Sequence, residues 1–531
     1  MQSVNQNFHD AAQGSIVPID WKFRVSFDKE FDNDVSFFTL NNSILNGTDV
    51  LGPSDDNPLQ QWDKYAYQDY GDRVIALEWS RSIDFPYSVQ SAIADVIVDN
   101  YDDYFTPNSN SPIASDILPA RPIRIFGGYK NASTVQQFVG ITHDMPEIDD
   151  TSKTASFTAM DFLSEMYTLD ITDTIAMQNV TTDVVLSSIF QQFGLATSQY
   201  SLSKGRNKIP FLFFEKGTNA GNIFQKLMQS EMGQLWLDEQ GIIRFDQRLK
   251  AIQTPVMNFD EHNIISIKVL DKDNIINTVQ ITSNVREVQN YQPIFSTARQ
   301  NGDNYIADPN TDTTSFIIPG NSTAFHPDTT LTDPALSATK PTIGQKTDSS
   351  WFTAIRTDGT PVESGVSVTL FTLRQASTTL LFSNTNSFDV IVDQIEVWGE
   401  PAKIVDTINY KAYDEDSVLK YGPRLLDGQT ITNDFFGNIS NCDSFADYVI
   451  DAYKEYGGVI EMEVKGDLSL DLGDIINVNK NPYNSDYKVT SIANSMAHNA
   501  VTQTIQAERY IQREWFVLNQ SILNGTSVLA P

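Results

Sequence analysis

The sequence contains a single cysteine, Cys442, in 531 residues. No intrachain disulfide can form, and no cysteine-based metal site can be assembled. Residues 1–10 lack the basic-then-apolar pattern of a secretory signal, and no run approaches the ~18 apolar residues of a membrane span. We therefore expect a protein that is made in the cytosol, stays soluble and folds without covalent cross-links.

Basic residues are scarce. The chain has 36 Lys and Arg against 68 Asp and Glu, which gives a net charge of −32. Because a grip on nucleic acid needs clustered Lys and Arg, this balance argues against specific DNA or RNA binding. An acidic wall instead repels a passing polyanion and keeps it from sticking. A salt-adapted host would also explain the charge.

Catalytic and ligand-binding motifs are missing as well. No glycine-rich phosphate loop occurs, and the acidic stretches that begin at Asp99, Asp271 and Asp414 lack the residues that complete a calcium loop. The histidines do not have the spacing of a zinc site; they are His9, His143, His262, His326 and His498. We predict no catalytic residue, no metal site and no cofactor, although two carboxylates suffice for a glycosidase and the 68 acidic residues supply pairs by chance.

Apolar residues make up 40% of the chain and aromatic residues 11%, which is ample for packed cores. The length predicts three or four domains. Short segments between turn residues, such as 73–79, 92–98, 122–126 and 137–141, predict the strands of a barrel or sandwich. Residues 1 to about 35 are polar and aperiodic apart from the alternating segment 21–27, so we expect a disordered lead into a strand.

Helical spacing occurs at 184–193, at 220–232 and at 444–456. The second of these helices precedes a strand, a turn and a strand, and we expect its Asp238-Glu-Gln-Gly241 tip to be exposed. From about 296 to 400 the composition shifts to Thr, Ser, Asn, Asp and Pro with a few strands. This shift predicts a β-sandwich inserted into a strand domain.

One stretch of the sequence occurs twice. Residues 37–53 and 515–531 match at twelve of seventeen positions. Each copy is typical of a hairpin, because Asn46-Gly47 and Asn524-Gly525 supply the positive φ angles of a type I′ turn and a Pro closes the copy. A lone hairpin is marginal in water and needs a surface for its apolar face. We therefore predict that both copies dock on a partner; the alternative is a stabilising hairpin that packs on its own chain. The predicted docking residues are Phe38, Leu40, Ile44, Leu45, Asn46, Gly47, Val50, Leu51, Phe516, Leu518, Ile522, Leu523, Asn524, Gly525, Val528 and Leu529.

The order of several short motifs resembles a known family. The motifs Leu77-Glu-Trp-Ser-Arg81, Asp99-Asn100, Phe105-Thr-Pro107, Pro119-Ala-Arg-Pro-Ile-Arg-Ile125 and Phe138-Val-Gly-Ile141 resemble the opening β domain of bacteriophage tail-tip and baseplate hub proteins, which are related to the tube-like part of type VI secretion spike proteins. Residues 220–245 are similar to the segment that links the two barrels of such hubs. Asp416-Ser-Val-Leu-Lys-Tyr-Gly422, Gly473-Asp-Ile-Ile-Asn-Val478 and Tyr487-Lys-Val-Thr-Ser-Ile492 are similar to the second barrel. The resemblance covers about 72–295 and 400–510.

With this resemblance, the expected fold is mainly β with α+β segments: two tube-like β-barrel domains, a helix-hairpin linking domain and an inserted β-sandwich. The expected divisions are an N-terminal arm with the first docking hairpin (1–71), a first barrel (72–165), an α+β linking domain (166–255), a second barrel (256–295 with 400–510), the inserted sandwich (296–399) and a C-terminal docking hairpin (511–531).

The resemblance implies a structural protein of the virion rather than an enzyme. It implies a homotrimer whose two barrels per chain make a pseudo-sixfold ring that continues the tail tube, with a lumen that passes DNA. The expected partners are other copies of the chain, the tail tube or distal tail ring, tip, fibre or spike proteins, and tape measure protein or DNA held in the lumen without specific binding. The alternative function is a glycan-binding or glycan-degrading tail-tip protein, which an exposed platform of Trp351, Phe352 and Trp398 on the insert would favour.

Overall fold

The computed structural model describes residues 2, 4, 8, 11–12, 19–27, 65–83, 88–89, 91–129, 133–247, 254–270, 275–298, 317–331, 333–339, 352–373, 377–455, 458–497, 500–510, 515–516 and 528–529. Within these residues strands predominate. The mainly β fold with α+β segments is confirmed.

The strands are numbered in chain order. The first group is β1 (Ile19–Val25), β2 (Gln68–Asp69), β3 (Val74–Ser82), β4 (Ser88–Val89), β5 (Ser91–Asp99), β6 (Pro122–Tyr129), β7 (Thr134–Thr142), β8 (Glu147–Asp149), β9 (Thr154–Met160), β10 (Ile175–Thr181), β11 (Tyr200–Leu202), β12 (Lys208–Phe214), β13 (Gln234–Leu237) and β14 (Ile243–Asp246). The second group is β15 (Met257–Phe259), β16 (Ile264–Val269), β17 (Thr278–Val288), β18 (Gln292–Ala298), β19 (Ile317–Ile318), β20 (Ser322–Thr330), β21 (Ala335–Thr339), β22 (Phe352–Arg356), β23 (Val366–Leu373) and β24 (Ser377–Asn384). The last group is β25 (Val390–Tyr413), β26 (Ile431–Thr432), β27 (Val459–Lys465), β28 (Ile475–Val478), β29 (Ser485–Ala497), β30 (Ala500–Arg509), β31 (Trp515–Phe516) and β32 (Val528–Leu529).

Five α-helices of seven or more residues lie in the described part of the chain: α1 (Phe162–Thr168), α2 (Thr182–Gln192), α3 (Ala220–Glu231), α4 (Glu415–Tyr421) and α5 (Ile439–Tyr453). Side-chain oxygens cap four of the helices, because the first backbone N–H groups of a helix have no partner within it. Asn219 accepts from the backbone N–H of Asn222 at 3.2 Å, and Asn438 accepts from that of Asn441 at 2.9 Å. The second cap explains why α5 begins five residues before the start predicted from apolar spacing.

One continuous sheet joins the two halves of the chain. Its strands follow the order β16-β27-β30-β29-β3-β5-β9-β7-β6-β1-β2, with β8 on β9 and the parallel pair β15 and β28 beside β29. The join is antiparallel pairing between β29 and β3, from Ser491 opposite Ser82 to Ala497 opposite Ala76. The strands predicted for two separate barrels therefore share one hydrogen-bonded ladder.

An aromatic core fills the first half of this sheet. Phe23, Phe105 and Phe157 are fully or almost fully buried there, and Trp79 packs edge-on against Trp21 with ring centroids 5.3 Å apart. The N-terminal arm contributes Phe8, which is fully buried and contacts the ring of Tyr129. The expected disordered lead is therefore wrong at this residue, because an aromatic side chain gains more from burial than the arm loses in entropy.

The second half encloses a smaller core. Met462, Val489 and Ile505 lie in this core, which is surrounded by six strands in the order β16, β27, β30, β29, β28 and β15. The first and last strands of this order, β16 and β15, are consecutive in the chain. Its loop 466–474 reaches across the join, since Leu468 is 1% exposed and belongs to the core of the first half. The two halves thus exchange side chains as well as backbone hydrogen bonds.

The linking domain packs α1, α2 and α3 against the pair β10 and β12 and against the sheet β11-β14-β13-β4. Phe190, Phe224, Leu227 and Phe245 are buried in its core. The sheet that contains β17, β25 and β26 lies beyond it and is covered by α5, where Cys442 is buried. Burial raises the pKa of the Cys442 thiol to about 11.

The insert is built on the long strand β25. β25 begins in the insert, where it pairs with β18, β19, β21 and β22, and continues into pairing with β17. The boundary predicted at residue 400 lies inside this strand. Strands β20, β24 and β23 form a second sheet over a shared core that includes Phe382 and Val392.

Replacing Leu468 tests the packing across the join. Leu468→Ala removes a side chain that is 1% exposed, and we expect it to lower the free energy of unfolding by about 2–5 kcal/mol. Leu419→Ala is the matched control, because Leu419 is 84% exposed, and it should change stability by at most about 0.5 kcal/mol. Equal effects of the two variants in chemical denaturation would contradict the packing described.

Candidate functional site: an acidic sheet face and the joint behind it

The strongest candidate site is the exposed face of eight neighbouring strands, β16, β27, β30, β29, β3, β5, β9 and β8. Successive side chains of a strand point to opposite faces. In β3, Leu77, Trp79 and Arg81 are buried, whereas Glu78 and Ser80 are exposed. The same alternation in the neighbouring strands leaves one face packed and one face open.

Small and acidic side chains dominate the open face. Its hydroxyl and methyl groups come from residues such as Ser80, Thr158, Ala493, Ser495 and Thr504, and its carboxylates include Glu78, Asp95, Asp99, Glu461 and Glu463. Lys268, Lys465 and Lys488 are the lysines that strand alternation and register place on this face among the described residues of these strands, and Lys488 donates to Gln234. The face is therefore smooth and carries net negative charge.

Neighbouring groups hold several of these carboxylates. Ser495 donates to Glu78 at 2.8 Å across the join, and Thr158 donates to Asp95 at 2.7 Å. Lys268 lies 2.7 Å from Glu461. A shallow depression of about 190 Å³ follows the join and is lined by Glu78, Ile93 and Asp95 among others. The hydroxyl contacts hold the carboxylates of Glu78 and Asp95 in place on the open face.

A buried charge cluster supports the join from behind. The guanidinium of Arg81, on β3, pairs with the carboxylate of Glu239, and both side chains are 4% exposed. Burial lowers the pKa of Arg81, while Asp471, Asp238, Asp161 and Asp474 act in the opposite direction. A buried cation in this position is tolerated because carboxylates surround it.

Glu239 belongs to the tip of the β13–β14 hairpin, which sequence analysis expected to be exposed. The prediction is wrong for this residue, because its carboxylate reaches the buried Arg81. Gln136 donates to the backbone carbonyl of Glu239 at 2.5 Å, and Lys488 donates to Gln234 at 2.8 Å. The hairpin of the linking domain therefore contacts both halves of the sheet beside their join.

The predicted docking residues fall almost entirely outside the described part of the chain. The first copy, 37–53, lies wholly outside it. In the second copy, Trp515 and Phe516 pair in parallel with Val528 and Leu529. The Asn524-Gly525 turn lies outside the described residues, so both hairpins stay predictions.

Two of the three residues of the aromatic platform expected for sugar binding lie in the described part of the chain. Phe352 packs edge-on against the buried Phe382, at 5.9 Å between ring centroids. Trp398 stacks on Tyr291 at 5.7 Å. Trp351 lies outside the described residues.

No group of three or more His, Cys, Asp or Glu side chains among the described residues is arranged to hold a metal ion. None of the helices described above combines the length and the apolar character needed to cross a membrane.

No family model matches the chain, and no curated protein matches it. Among solved structures, it is similar to the 43 kDa tail protein of prophage MuSo2 from Shewanella oneidensis, with 9% identity, 84% of this chain and 95% of that chain covered, and a TM-score of 0.44. A tail protein from Neisseria meningitidis has 8% identity, coverage of 84% and 94%, and a TM-score of 0.45. An E. coli component of the type VI secretion system has 8% identity, coverage of 84% and 78%, and a TM-score of 0.37. The first two of these proteins are tail proteins and the third is a type VI secretion component, the classes of protein that the sequence resembles.

The buried carboxyl of Asp161, one of the carboxylates around Arg81, makes the free energy of unfolding depend on pH. Asp161 caps α1, and burial raises the pKa of its carboxyl to about 6. An unfolded Asp has a pKa of about 3.9, so between about pH 4 and pH 6 the folded chain holds a proton that the unfolded chain releases. Stability therefore falls as pH rises through this window, by about 3 kcal/mol from this group.

We expect Asp161→Asn, which keeps a cap acceptor but cannot ionise, to remove that part of the pH dependence. Urea unfolding at pH 4.5 and pH 6.5 measures it. Asp416→Asn, on the exposed surface of α4, is the control and should keep the wild-type slope. An unchanged slope in Asp161→Asn would show that this carboxyl ionises normally in the folded chain.

Proposed function

We propose that this chain is a structural hub of a bacteriophage tail tip or baseplate, without enzymatic activity, and that the acidic sheet face lines its channel. The strand order is the observation that carries the proposal. Strands β8, β9, β5 and β3 form one antiparallel set of four, strands β29, β30, β27 and β16 form another, and the two sets join edge to edge. If three chains assemble, two similar sets per chain give six sets in all. That number matches the symmetry of a sixfold tube.

The outer edges of this eight-strand run favour pairing with further copies. Among the described residues β16 pairs only with β27, and β8 pairs only with β9. Ile265 on β16 is 56% exposed. An edge strand with exposed apolar residues tends to aggregate unless another strand pairs with it. Lys268 on β16 and the exposed Glu147 and Asp149 on β8 have opposite charges. Pairing of β16 with β8 of the next copy would close a ring of three chains, which contains six sets of four strands.

The charge of the face suits a channel for DNA. A wall with more carboxylates than lysines repels phosphate groups at short range, so that the genome passes without specific binding. In this proposal the chain belongs to the virion, after synthesis in the host cytoplasm. It joins the tail tube or distal ring to other tip, fibre or spike proteins, and tape measure protein or DNA occupies the lumen.

Engineered cysteines test the proposed contact between copies. Pairs with one cysteine on β16 (Ile265→Cys, Ser266→Cys or Lys268→Cys) and one on β8 (Glu147→Cys or Asp149→Cys) should form disulfides between chains under mild oxidation. The native Cys442 is buried and should not interfere. Non-reducing gels should show bands of two and three chains and none larger, because a ring of three closes.

Two controls accompany this experiment. Each variant with only one of the two introduced cysteines should remain at the mass of one chain, apart from disulfides between the same cysteine of two chains. A pair that combines Glu147→Cys with Leu419→Cys, at an exposed residue away from the sheet, should not cross-link. Cross-linked ladders that extend beyond three chains, or no cross-link from any β16 and β8 pair, would count against the ring.

Charge reversal tests the role of the acidic face. Glu78→Lys, Asp95→Lys and Glu461→Lys together should convert a chain that ignores duplex DNA at low salt into one that binds it. The binding constant should fall with salt with a log–log slope of roughly −2.7 per chain, if each lysine contacts one phosphate. Gel shift at several salt concentrations measures the slope.

The matched control reverses three exposed carboxylates elsewhere, Glu415, Asp416 and Asp427, for the same change in net charge. Binding by this control as tight as by the face variant would show that net charge, and not the sheet face, governs DNA contact.

A further inference from the structure

The described residues of the N-terminal arm present an apolar side to the body of the protein. They are Gln2, Val4, Phe8, Ala11 and Ala12, of which residues 8, 11 and 12 are helical. Phe8 and Ala12 are buried in the core of the first half of the sheet, and Val4 and Ala11 pack against that core. The spacing 4, 8, 11 and 12 is that of one side of a helix, so the arm is seated by its apolar side.

The arm also lies against the loop 466–474, which reaches across the join. The backbone N–H of Gln2 donates to the carbonyl of Ser469 at 2.8 Å, and the side-chain amide of Gln2 donates to the carbonyl of Gln136 at 2.9 Å. Ser469 belongs to that loop of the second half, whereas Gln136 belongs to β7 of the first half. One residue of the arm thus bonds to both halves.

Beneath the arm, two side chains of the first half hold the same loop. The hydroxyl of Tyr129 donates to the carbonyl of Gly466 at 2.6 Å, and the side-chain amide of Gln137 donates to the carbonyl of Leu468 at 2.8 Å. Phe8 packs edge-on against the ring of Tyr129, with ring centroids 4.8 Å apart. Because close-packed rings fix one another in place, the seat of Phe8 also positions the hydroxyl that bonds to the loop.

The linking hairpin meets the arm through β7. Gln136, whose carbonyl accepts from Gln2, donates its own side-chain amide to the carbonyl of Glu239 at 2.5 Å. A cleft of about 530 Å³ lies between the hairpin and the loop 466–474, and Gln2, Glu239 and Asp474 are among the residues that line it. The arm therefore forms part of a wall of this cleft, where both halves of the sheet and the linking domain meet.

Release of the arm from this seat would break no strand pairing. None of the arm residues that the structure describes belongs to a strand of the described sheets. The contacts of Phe8 and Gln2 would be lost, but every rung of the sheet ladders would remain. Segments held in this way open at a lower free energy than the whole fold.

We propose that the arm is a reversible clasp. When it is seated, it fastens the loop 466–474 and, through Gln136, the tip of the linking hairpin to the first half. The two halves of the sheet and the linking domain then move as one body. When it is released, the loop loses one of its supports and the cleft opens on the side of Gln2. The clasp acts within a single chain and does not depend on the ring of three.

A buried cysteine reports the release. Ser469 is fully buried, so the thiol of Ser469→Cys should react with a water-soluble maleimide only when the loop opens. The chain without this substitution gives the background from the native Cys442, which is buried. We expect Phe8→Ala to raise the labelling rate at least about tenfold in native buffer, because the ring that seats the arm is lost. Hydrogen exchange should accelerate at 466–474 and 238–241 as well.

Phe105→Ala is the matched control, because Phe105 is fully buried at the other end of the same core. Its ring contacts Phe27, just past the end of β1, whereas the Tyr129 beneath the arm pairs with Ile19 at the start of β1. This substitution lowers the stability of the whole fold without touching the seat, and the labelling rate should stay within about twofold of the parent. Equal acceleration by the two substitutions would overturn the clasp, since the loop would then open only with the core.

A milder variant serves if Phe8→Ala does not fold. Gln2→Pro removes the N–H that donates to Ser469 and leaves the aromatic seat intact. It should raise the labelling rate about threefold or more, as expected for the loss of one hydrogen bond. Unchanged labelling in the folded variants would show that the arm is a fixed part of the core. The same conclusion would follow if the wild-type loop exchanged its amide hydrogens only through global unfolding.

Discussion

Backbone pairing between β29 and β3 is the interaction on which the rest of the architecture depends. These strands lie far apart in the sequence, and their ladder merges two half-sheets into one continuous surface. On the open side, Ser495 and Glu78 bond across the ladder. On the packed side, Leu468 packs in the core of the opposite half. Arg81, a residue of the ladder, forms an ion pair with Glu239. Without this pairing neither the acidic face nor the buried joint would exist as a unit.

The buried charge cluster of Arg81 and Glu239 makes the two half-sheets and the linking domain interdependent. Truncating one member of a buried ion pair leaves the other charge without compensation, which is more costly than the pair itself is favourable. The Arg81–Glu239 contact therefore specifies a single position for the hairpin rather than adding large net stability. Such a device suits a component that must keep its shape while neighbouring proteins attach to it.

Local features of the fold could be predicted from the sequence, whereas long-range ones could not. Period-two alternation located β1, short segments between turn residues located β3 and β5, and apolar spacing with a following glycine located α2 and α3, because these signals act within a few residues. The ladder between Ser82 and Ser491 has no local signal. The burial of Glu239 was missed for the same reason, since an acidic turn is ordinarily exposed and its partner Arg81 lies far back in the sequence. Residue 400 looked like a boundary because the composition changes there, yet a strand can pass through such a change without interruption.

The acidic sheet face shows a similar division. The excess of carboxylates was evident from composition alone, and it suggested a surface that repels a polyanion. Which carboxylates share a face depends on the register of eight strands, and no short motif encodes that register. The repeat is the opposite case, because it is evident from the sequence alone.

The solution mass of the wild-type protein, measured by light scattering at two concentrations and moderate salt, tests the central claim most directly. The account predicts a particle of three chains, whose mass is three times the 59.4 kDa of one chain at both concentrations. A stable dimer, or a single chain at the higher concentration, would contradict it.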